Sequence, residues 1–167
     1  MTFRVGLGYD VHRFTTGRPL YLGGVEIPFE KGLEGHSDAD VLLHAIGDAL
    51  LGAAGDGDLG THFPPTDESF RNIRSTDLID RIMERLWAKG LVVENVDTVV
   101  VAQQPRILPH RERMVSSIAA LLGVEPEVVS VKGTTTEGLG FEGRSEGISA
   151  RAVVLIRRAG PSQPTTW

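Results

Sequence analysis

Apolar residues alternate with other residues in the first stretch of the chain and then change to a helical spacing. Over residues 3–12, Val5, Leu7 and Tyr9 occupy every second position, which predicts a β-strand. Apolar residues at 20–22 and 25–27 flank two glycines, a pattern typical of a β-hairpin. From residue 39 to 54 they recur every three or four positions, which predicts an amphipathic helix.

The rest of the chain interleaves further strands and helices. A glycine-, proline- and acid-rich loop is predicted for residues 55–68, followed by a helix from Ser75, as N-cap, to Lys89. Strands are predicted at 96–101, 128–131 and 148–156, and another helix from Pro109 to Leu122. This order predicts a mixed α/β fold: one sheet of about four main strands, backed by helices on one side, plus the small hairpin.

Composition narrows the functional classes. The 167 residues are 41% hydrophobic and 23% charged, which is typical of a single globular domain. We expect that domain over residues 1–158, with a disordered tail over 159–167. The net charge of −5 argues against a nucleic-acid partner. The apolar runs are too short to span a membrane, and the first residues already follow a strand pattern, so we expect a cytoplasmic protein.

Two histidines and an aspartate form a candidate metal site. Asp10 and His12 share one face of the first predicted strand, and His44 lies on the first helix. Imidazole and carboxylate are zinc ligands, and a three-residue set leaves a fourth position open for catalysis. The chain has no cysteine, so zinc would depend on such ligands. The alternative is two histidines hydrogen-bonded in the core.

Residues near this helix offer supporting roles. Asp40 and Asp48 lie one turn either side of His44 and are candidates to orient its imidazole. Asp40 could equally be a carboxylate favoured by the helix dipole. His36 and Ser37 could bind an anion near the helix N-terminus, whereas the alternative is that Ser37 or Asp38 caps the helix.

Three further segments carry weaker signals. The loop over 56–60 and 63–67 has carboxylates for sugar-like hydroxyl groups, and residues 102–109 form a turn that could enclose a planar base. Lys132 to Glu137 combines a cation with three threonines, which suits a diphosphate, and Glu137 could hold Mg²⁺. An ordinary surface loop, a strand-to-helix connection and a threonine-rich strand would explain the same patterns.

These motifs, in this order, resemble the 2-C-methyl-D-erythritol 2,4-cyclodiphosphate synthases of the non-mevalonate isoprenoid pathway. The resemblance covers residues 6–156 and rests on residues 8–12, 32–45, 57–60, 63–67, 132–141 and 143–148. It implies a phosphorus–oxygen lyase that is a homotrimer with active sites at the subunit interfaces. The implied substrate is 4-diphosphocytidyl-2-C-methyl-D-erythritol 2-phosphate, which would cyclise with release of CMP.

The resemblance also implies residue roles. One Zn²⁺ per subunit would bind Asp10, His12 and His44; Mg²⁺ or Mn²⁺ would bind Glu137; and His36 and Thr135 would stabilise the transition state. The implied substrate contacts are His36, Ser37, Asp58, Leu59, Gly60, Phe63, Pro64, Pro65, Thr66, Asp67, Ala102, Gln103, Gln104, Pro105, Arg106, Ile107, Leu108, Thr134, Thr136, Phe141 and Arg144. Arg144 and Glu146 would also lie near a central channel that could hold an isoprenoid diphosphate.

The chain departs from the family pattern at three positions, and two other functions compete with the cyclase. Pro65 replaces a frequent Asp, so that contact would come from backbone or Asp67, and Arg106 and Gly138 each replace a common Lys. A zinc-dependent hydrolase of a nucleotide diphosphate could use Asp40 or Asp48 as general base. A binding module that holds an isoprenoid-like ligand is the third hypothesis.

Overall fold

The computed structural model describes residues 2–159, which form seven strands and five helices. The strands are β1 (Phe3–Thr15), β2 (Leu20–Leu22), β3 (Val25–Ile27), β4 (Gly32–Leu33), β5 (Leu91–Val101), β6 (Val129–Thr134) and β7 (Gly147–Arg158). The helices are α1 (Val41–Ala54), α2 (Leu59–His62), α3 (Ser75–Ala88), α4 (Arg111–Leu122) and α5 (Gly140–Gly143). Short 3-10 turns occur at Glu68–Phe70, Leu108–His110 and Pro126–Val128.

The main sheet has the strand order β4-β1-β7-β5-β6. β7 pairs antiparallel with both β1 and β5, whereas β5 and β6 are parallel. β2 and β3 form the separate hairpin that the double glycine predicts. The predicted mixed α/β class and the four long strands are confirmed, and the two-residue β4 is an addition at the edge.

Helix α1 lies directly on β1 because two glycines remove the side chains between them. A Cβ atom on Gly8 would lie 1.8 Å from the carbonyl oxygen of Ala45, and one on Gly6 would lie 1.8 Å from that of Ala49. Close approach of two backbones is a position where only glycine fits. α1 is therefore buried between the sheet and α3, and its position is fixed against β1.

The opposite face of β1 is apolar and exposed. Val5 and Leu7 are 67% and 70% exposed, and Phe3, Tyr9 and Val11 are exposed on the same face. Val153, the β7 partner of Leu7, continues this surface. We call these six residues the apolar strand face. A contiguous apolar surface of this kind is typical of a protein interface.

Several predicted boundaries are corrected. α1 begins at Val41 with Asp40 as its N-cap, so neither Ser37 nor Asp38 caps it. α3 begins at Ser75 itself after Arg74, so Ser75 is not its N-cap either. The predicted loop over 55–68 contains α2, and a 3-10 turn begins at its last residue, Glu68.

Two other sequence expectations concern the ends of the chain and membranes. Apart from Ala159, the predicted tail lies outside the described residues. Among residues 2–159, no helix is both long and apolar enough to cross a membrane.

Candidate active site and metal centre

β1 and α1 bring the three predicted metal ligands together. Asp10 and His12 follow Gly6 and Gly8 on the face of β1 that packs against α1. His44 on α1 lies opposite them. Asp10 Oδ2 lies 2.9 Å from His12 Nε2 and 3.0 Å from His44 Nδ1, and the two nitrogens are 3.1 Å apart. Within residues 2–159 these three residues form the one cluster of His, Asp or Glu side chains compact enough to hold a metal ion.

The outer nitrogen of each imidazole is also hydrogen-bonded. His12 Nδ1 donates to the carbonyl oxygen of Glu34 at 2.7 Å. His44 Nε2 lies 3.0 Å from Ser75 Oγ and 3.1 Å from Ser37 Oγ. A proton on each outer nitrogen leaves the inner nitrogen with a free lone pair, as a metal ligand requires.

The charges in the cluster stabilise one another. Burial raises the pKa of Asp10, but hydrogen bonds from His12 and His44 outweigh burial and hold that pKa well below its usual range. Burial lowers the pKa of His12, but the hydrogen bond and charge of Asp10 raise it overall. The carboxylate therefore stays ionised and available to a cation.

This donor set fits zinc. Zn²⁺ bonds of about 2.0–2.2 Å in a tetrahedral arrangement place neighbouring ligand atoms about 3.3 Å apart. The three observed separations of 2.9 to 3.1 Å need only a small expansion to reach that value. Hydrogen bonds from the two histidines to Asp10 give the same separations, so the distances fit both a metal centre and the hydrogen-bonded alternative.

The cluster opens into a cavity of about 300 Å³, which we call the metal cavity. Its other polar lining residues are His36, Ser37 and Asp48, and Phe63, Pro65 and Phe70 contribute apolar surface. His36 Nε2 is buried and has no hydrogen-bond partner among residues 2–159. An unpartnered buried nitrogen costs free energy and is available to a polar ligand.

The hypothesis that Asp40 orients His44 is wrong. Asp40 is fully buried, and its carboxylate accepts hydrogen bonds from the backbone N–H groups of Gly23, Gly24 and Leu43. The alternative role at the helix N-terminus is the correct one. Burial raises the pKa of Asp40.

Asp48 lies in the metal cavity but does not orient His44 through a hydrogen bond. Its carboxylate accepts from the N–H of Leu59 at 2.8 Å, which attaches the start of α2 to α1. Burial raises the pKa of Asp48. Sequence analysis missed the residues that do contact the outer nitrogens, Ser75 and the Glu34 carbonyl, because their long-range contacts leave no local pattern.

A second cavity of about 540 Å³ lies on the other part of the sheet, at the ends of β5 and β6. We call it the β5–β6 cavity. The predicted residues that line it are Ala102, Gln103, Gln104, Pro105, Arg106, Ile107, Leu108, Thr134 and Thr135. Lys132 also lines it, but its ammonium group is 2.7 Å from Asp97 in an ion pair. No described residue lines both cavities.

The remaining predicted residues lie outside both linings. These are Asp58, Pro64, Thr66, Asp67, Thr136, Glu137, Phe141 and Arg144. Asp58 and Asp67 cap α2 and a 3-10 turn, and the exposed Arg144 pairs with Glu146 at 2.7 Å. Glu137 Oε1 accepts a hydrogen bond from Thr135 Oγ1 at 3.2 Å.

Comparisons with known proteins assign the chain to one family. The sequence model of the YgbB family matches residues 3–157. A 2-C-methyl-D-erythritol 2,4-cyclodiphosphate synthase from Syntrophomonas wolfei is 60% identical, over 93% of this chain and 99% of that relative.

Solved structures of similar proteins share the fold. The bifunctional IspDF of Campylobacter jejuni superposes with a TM-score of 0.91 and 41% identity, over 95% of this chain and 43% of that longer chain. The IspF of Plasmodium falciparum in complex with CDP has a TM-score of 0.84 and 33% identity, over 95% of this chain and 97% of that one.

Proposed function

The chain belongs to the YgbB family, and from that membership we propose that it makes 2-C-methyl-D-erythritol 2,4-cyclodiphosphate for isoprenoid synthesis. The substrate is 4-diphosphocytidyl-2-C-methyl-D-erythritol 2-phosphate, and CMP is the second product, which makes the enzyme a phosphorus–oxygen lyase. The observation that carries this proposal is the Asp10–His12–His44 cluster in a chain 60% identical to a synthase of that name. The relatives do not support the alternative of a zinc-dependent hydrolase.

The residues of the metal cavity would hold one Zn²⁺ per subunit. Asp10, His12 and His44 would be its ligands, and the ion would supply Lewis-acid polarisation of a phosphate oxygen. Glu137, an exposed carboxylate beside Thr135, would bind Mg²⁺ or Mn²⁺, which usually takes one or two protein carboxylates plus phosphate oxygens.

The chain's own side chains would position the substrate. An oxygen of the 2-phosphate attacks the β-phosphorus, and the bond from that phosphorus to the bridging oxygen breaks, so the electron pair leaves with CMP. His36 Nε2 would donate to the reacting phosphate, and the Thr135 hydroxyl would do so from the opposite side. Positioning and charge stabilisation dominate such transfers, and no covalent intermediate is required.

We propose that each complete site needs two subunits of a homotrimer. His36 lines the metal cavity and Thr135 lines the β5–β6 cavity, and these cavities share no described residue. The CDP complex of the Plasmodium falciparum relative supports a cytidyl ligand, and we place it in the β5–β6 cavity of the neighbouring subunit. The apolar strand face supplies a surface for assembly.

The experiment follows CMP release from the pure protein with the cytidyl substrate in ¹⁸O-labelled water. A cyclase produces the cyclic diphosphate without solvent oxygen, whereas ¹⁸O in the product would refute the proposal. His44→Ala should lose both bound zinc and turnover. The matched control is His110→Ala, because His110 lines neither cavity.

Mixing two inactive variants tests the shared site. His44→Ala damages the metal cavity and Thr135→Ala the β5–β6 cavity, so a trimer containing both variants has some sites with two intact halves. Random reassembly of equal amounts in a cyclic, head-to-tail trimer restores about a quarter of wild-type activity. No restored activity in mixed trimers would show that both halves belong to one chain.

A further inference from the structure

We propose that Ser75 and Asp38 together determine which nitrogen of His44 is available to the metal. The proposal rests on the metal site of the proposed function and concerns a positioning role, not contact with substrate. His44 Nδ1 faces Asp10 and His12, and His44 Nε2 faces Ser75 and Ser37. A neutral imidazole carries one proton, and the Asp10 carboxylate attracts it to Nδ1. An acceptor at Nε2 is therefore needed to hold the proton on the other side and leave Nδ1 with a free lone pair.

Ser75 can only accept a hydrogen bond from His44. Its hydroxyl group donates to Asp38 Oδ1, an acceptor-only carboxylate oxygen, in a short contact. With its single hydrogen used there, Ser75 Oγ offers His44 only lone pairs, at 3.0 Å from Nε2. Ser75 therefore supplies the acceptor that a proton on Nε2 needs when Nδ1 gives its lone pair to a metal ion.

Other hydrogen bonds hold the Asp38 carboxylate in the position where it accepts the Ser75 hydroxyl hydrogen. Its Oδ2 accepts the backbone N–H of Ser75 at 3.0 Å, and its Oδ1 accepts that of Asp40 at 3.2 Å. Its own N–H donates to the carbonyl of Ile73 at 3.1 Å. Ser75 is fully buried, so water does not compete for its hydroxyl group.

Ser37 provides an internal comparison. Its Oγ is 3.1 Å from the same nitrogen and accepts the N–H of Ala39 at 3.0 Å. Its hydroxyl hydrogen has no other acceptor among the described residues, so it can point toward His44 or away from it. Ser37 is thus compatible with a proton on either nitrogen, whereas Ser75 is compatible only with a proton on Nε2.

Ser75 has no capping role in its own helix, which leaves its hydroxyl group free for a long-range contact. Ser75 begins α3 without capping it, and Arg74, the N-cap residue, makes no side-chain cap bond. Its hydroxyl instead connects α3 to α1 across 31 residues of sequence. Outer partners of metal-bound histidines typically change metal affinity by 10–100-fold when removed.

The test compares Ser75→Ala with Ser37→Ala, each of which removes one hydroxyl group, 3.0 Å and 3.1 Å from His44 Nε2 respectively. Zinc affinity is measured by competition with a chromogenic chelator, and folding by circular dichroism. We expect Ser75→Ala to bind Zn²⁺ about 10–100-fold more weakly and Ser37→Ala to change affinity much less. Equal losses in both variants, or wild-type affinity in Ser75→Ala, would overturn the inference.

A second measurement needs no variant. Long-range ¹H–¹⁵N correlation spectra of the zinc-loaded wild type report which His44 nitrogen binds the ion and which carries the proton. We expect a metal-bound Nδ1 and a proton on Nε2, and a metal-bound Nε2 would overturn the inference even if Ser75→Ala failed to fold. Failure of the wild type to bind zinc would instead refute the proposed metal centre itself.

Discussion

Replacing Gly8 with alanine should weaken the proposed metal site without changing any of its three proposed ligands. The new Cβ would lie 1.8 Å from the Ala45 carbonyl oxygen, whereas ordinary contacts begin at 3.4 Å. α1 must therefore retreat from β1 by about 1.6 Å, the difference between those distances. His44 precedes Ala45 on α1, so it would move with the helix, away from Asp10 and His12.

This movement of α1 is large compared with the variation that metal–ligand distances tolerate. Metal–ligand distances are held within about 0.2 Å, so a displacement of this size removes one of three protein ligands. We expect at least about a tenfold loss of zinc affinity. Overpacking typically costs 1–3 kcal/mol, and about 3 kcal/mol is expected here because the obstructing atom belongs to the backbone.

Urea unfolding and chelator competition measure both effects. The control is Gly52→Ala on the same helix, where nothing lies within 4 Å of the new Cβ. There the better helix propensity of alanine should stabilise the protein by roughly 0.5–1 kcal/mol and leave zinc affinity unchanged. If Gly8→Ala matched the wild type in both measurements, the reasoning from helix position to metal affinity would be refuted.

Three further predictions concern other parts of the molecule. Ser149→Ala removes the donor to the buried Glu142 carboxylate, 2.9 Å away, and should cost about 1–3 kcal/mol in urea unfolding; an unchanged midpoint would contradict this. Hydrogen bonds, first from Lys89 and then from Arg85, lower the pKa of Asp56 in the folded protein below its ordinary value of 3.8. The ionised Asp56 therefore stabilises the fold above pH 3.8, and this contribution is lost as the pH falls from 3.8 through the lowered pKa. Asp56→Asn should make the urea midpoint less dependent on pH below 5, and a dependence as steep as that of the wild type would argue against this. Leu7→Glu should convert the proposed homotrimer to smaller species in light scattering, because it puts a charge in the apolar strand face; a trimer of normal mass would exclude that face from the proposed interface.

The meeting of Asp10, His12 and His44 was predictable because both elements have simple periods. Alternation along β1 fixes Asp10 and His12 on one face, and the helical period places His44 on the inner side of α1. Gly6 and Gly8 let the backbones of β1 and α1 approach closely, which brings these two faces together. The two glycines in the strand pattern already indicated such an approach. Topology beyond these elements, such as the parallel pairing of β5 with β6, depends on packing and not on local pattern.

The contacts around the ligands could not be predicted in the same way. Asp40 precedes a helical run, which favours a cap, but its bonds to Gly23 and Gly24 depend on where the hairpin folds. The Asp38–Ser75 contact spans 37 residues and likewise has no sequence period. Both examples show that hydrogen-bond partners of buried polar groups require the tertiary structure.

One departure from the family pattern has a conformational reason. Gly138 has a φ of 79°, in the left-handed region where a residue with a side chain is strained. A lysine at this position would therefore have to change the turn as well as add a charge. Pro65 and Arg106, the other departures, line the metal cavity and the β5–β6 cavity respectively.

The different roles of the two faces of β1 limit which insertions and deletions the strand can accept. Even-numbered residues carry the glycines against α1 and then Asp10 and His12, and odd-numbered residues form the apolar strand face. Inserting or deleting one residue within the strand would exchange the faces, sending the ligands outward and the large apolar side chains into α1. Substitutions can accumulate on β1 one at a time, but its length between Gly6 and His12 cannot vary while the proposed metal site and the proposed interface are both retained.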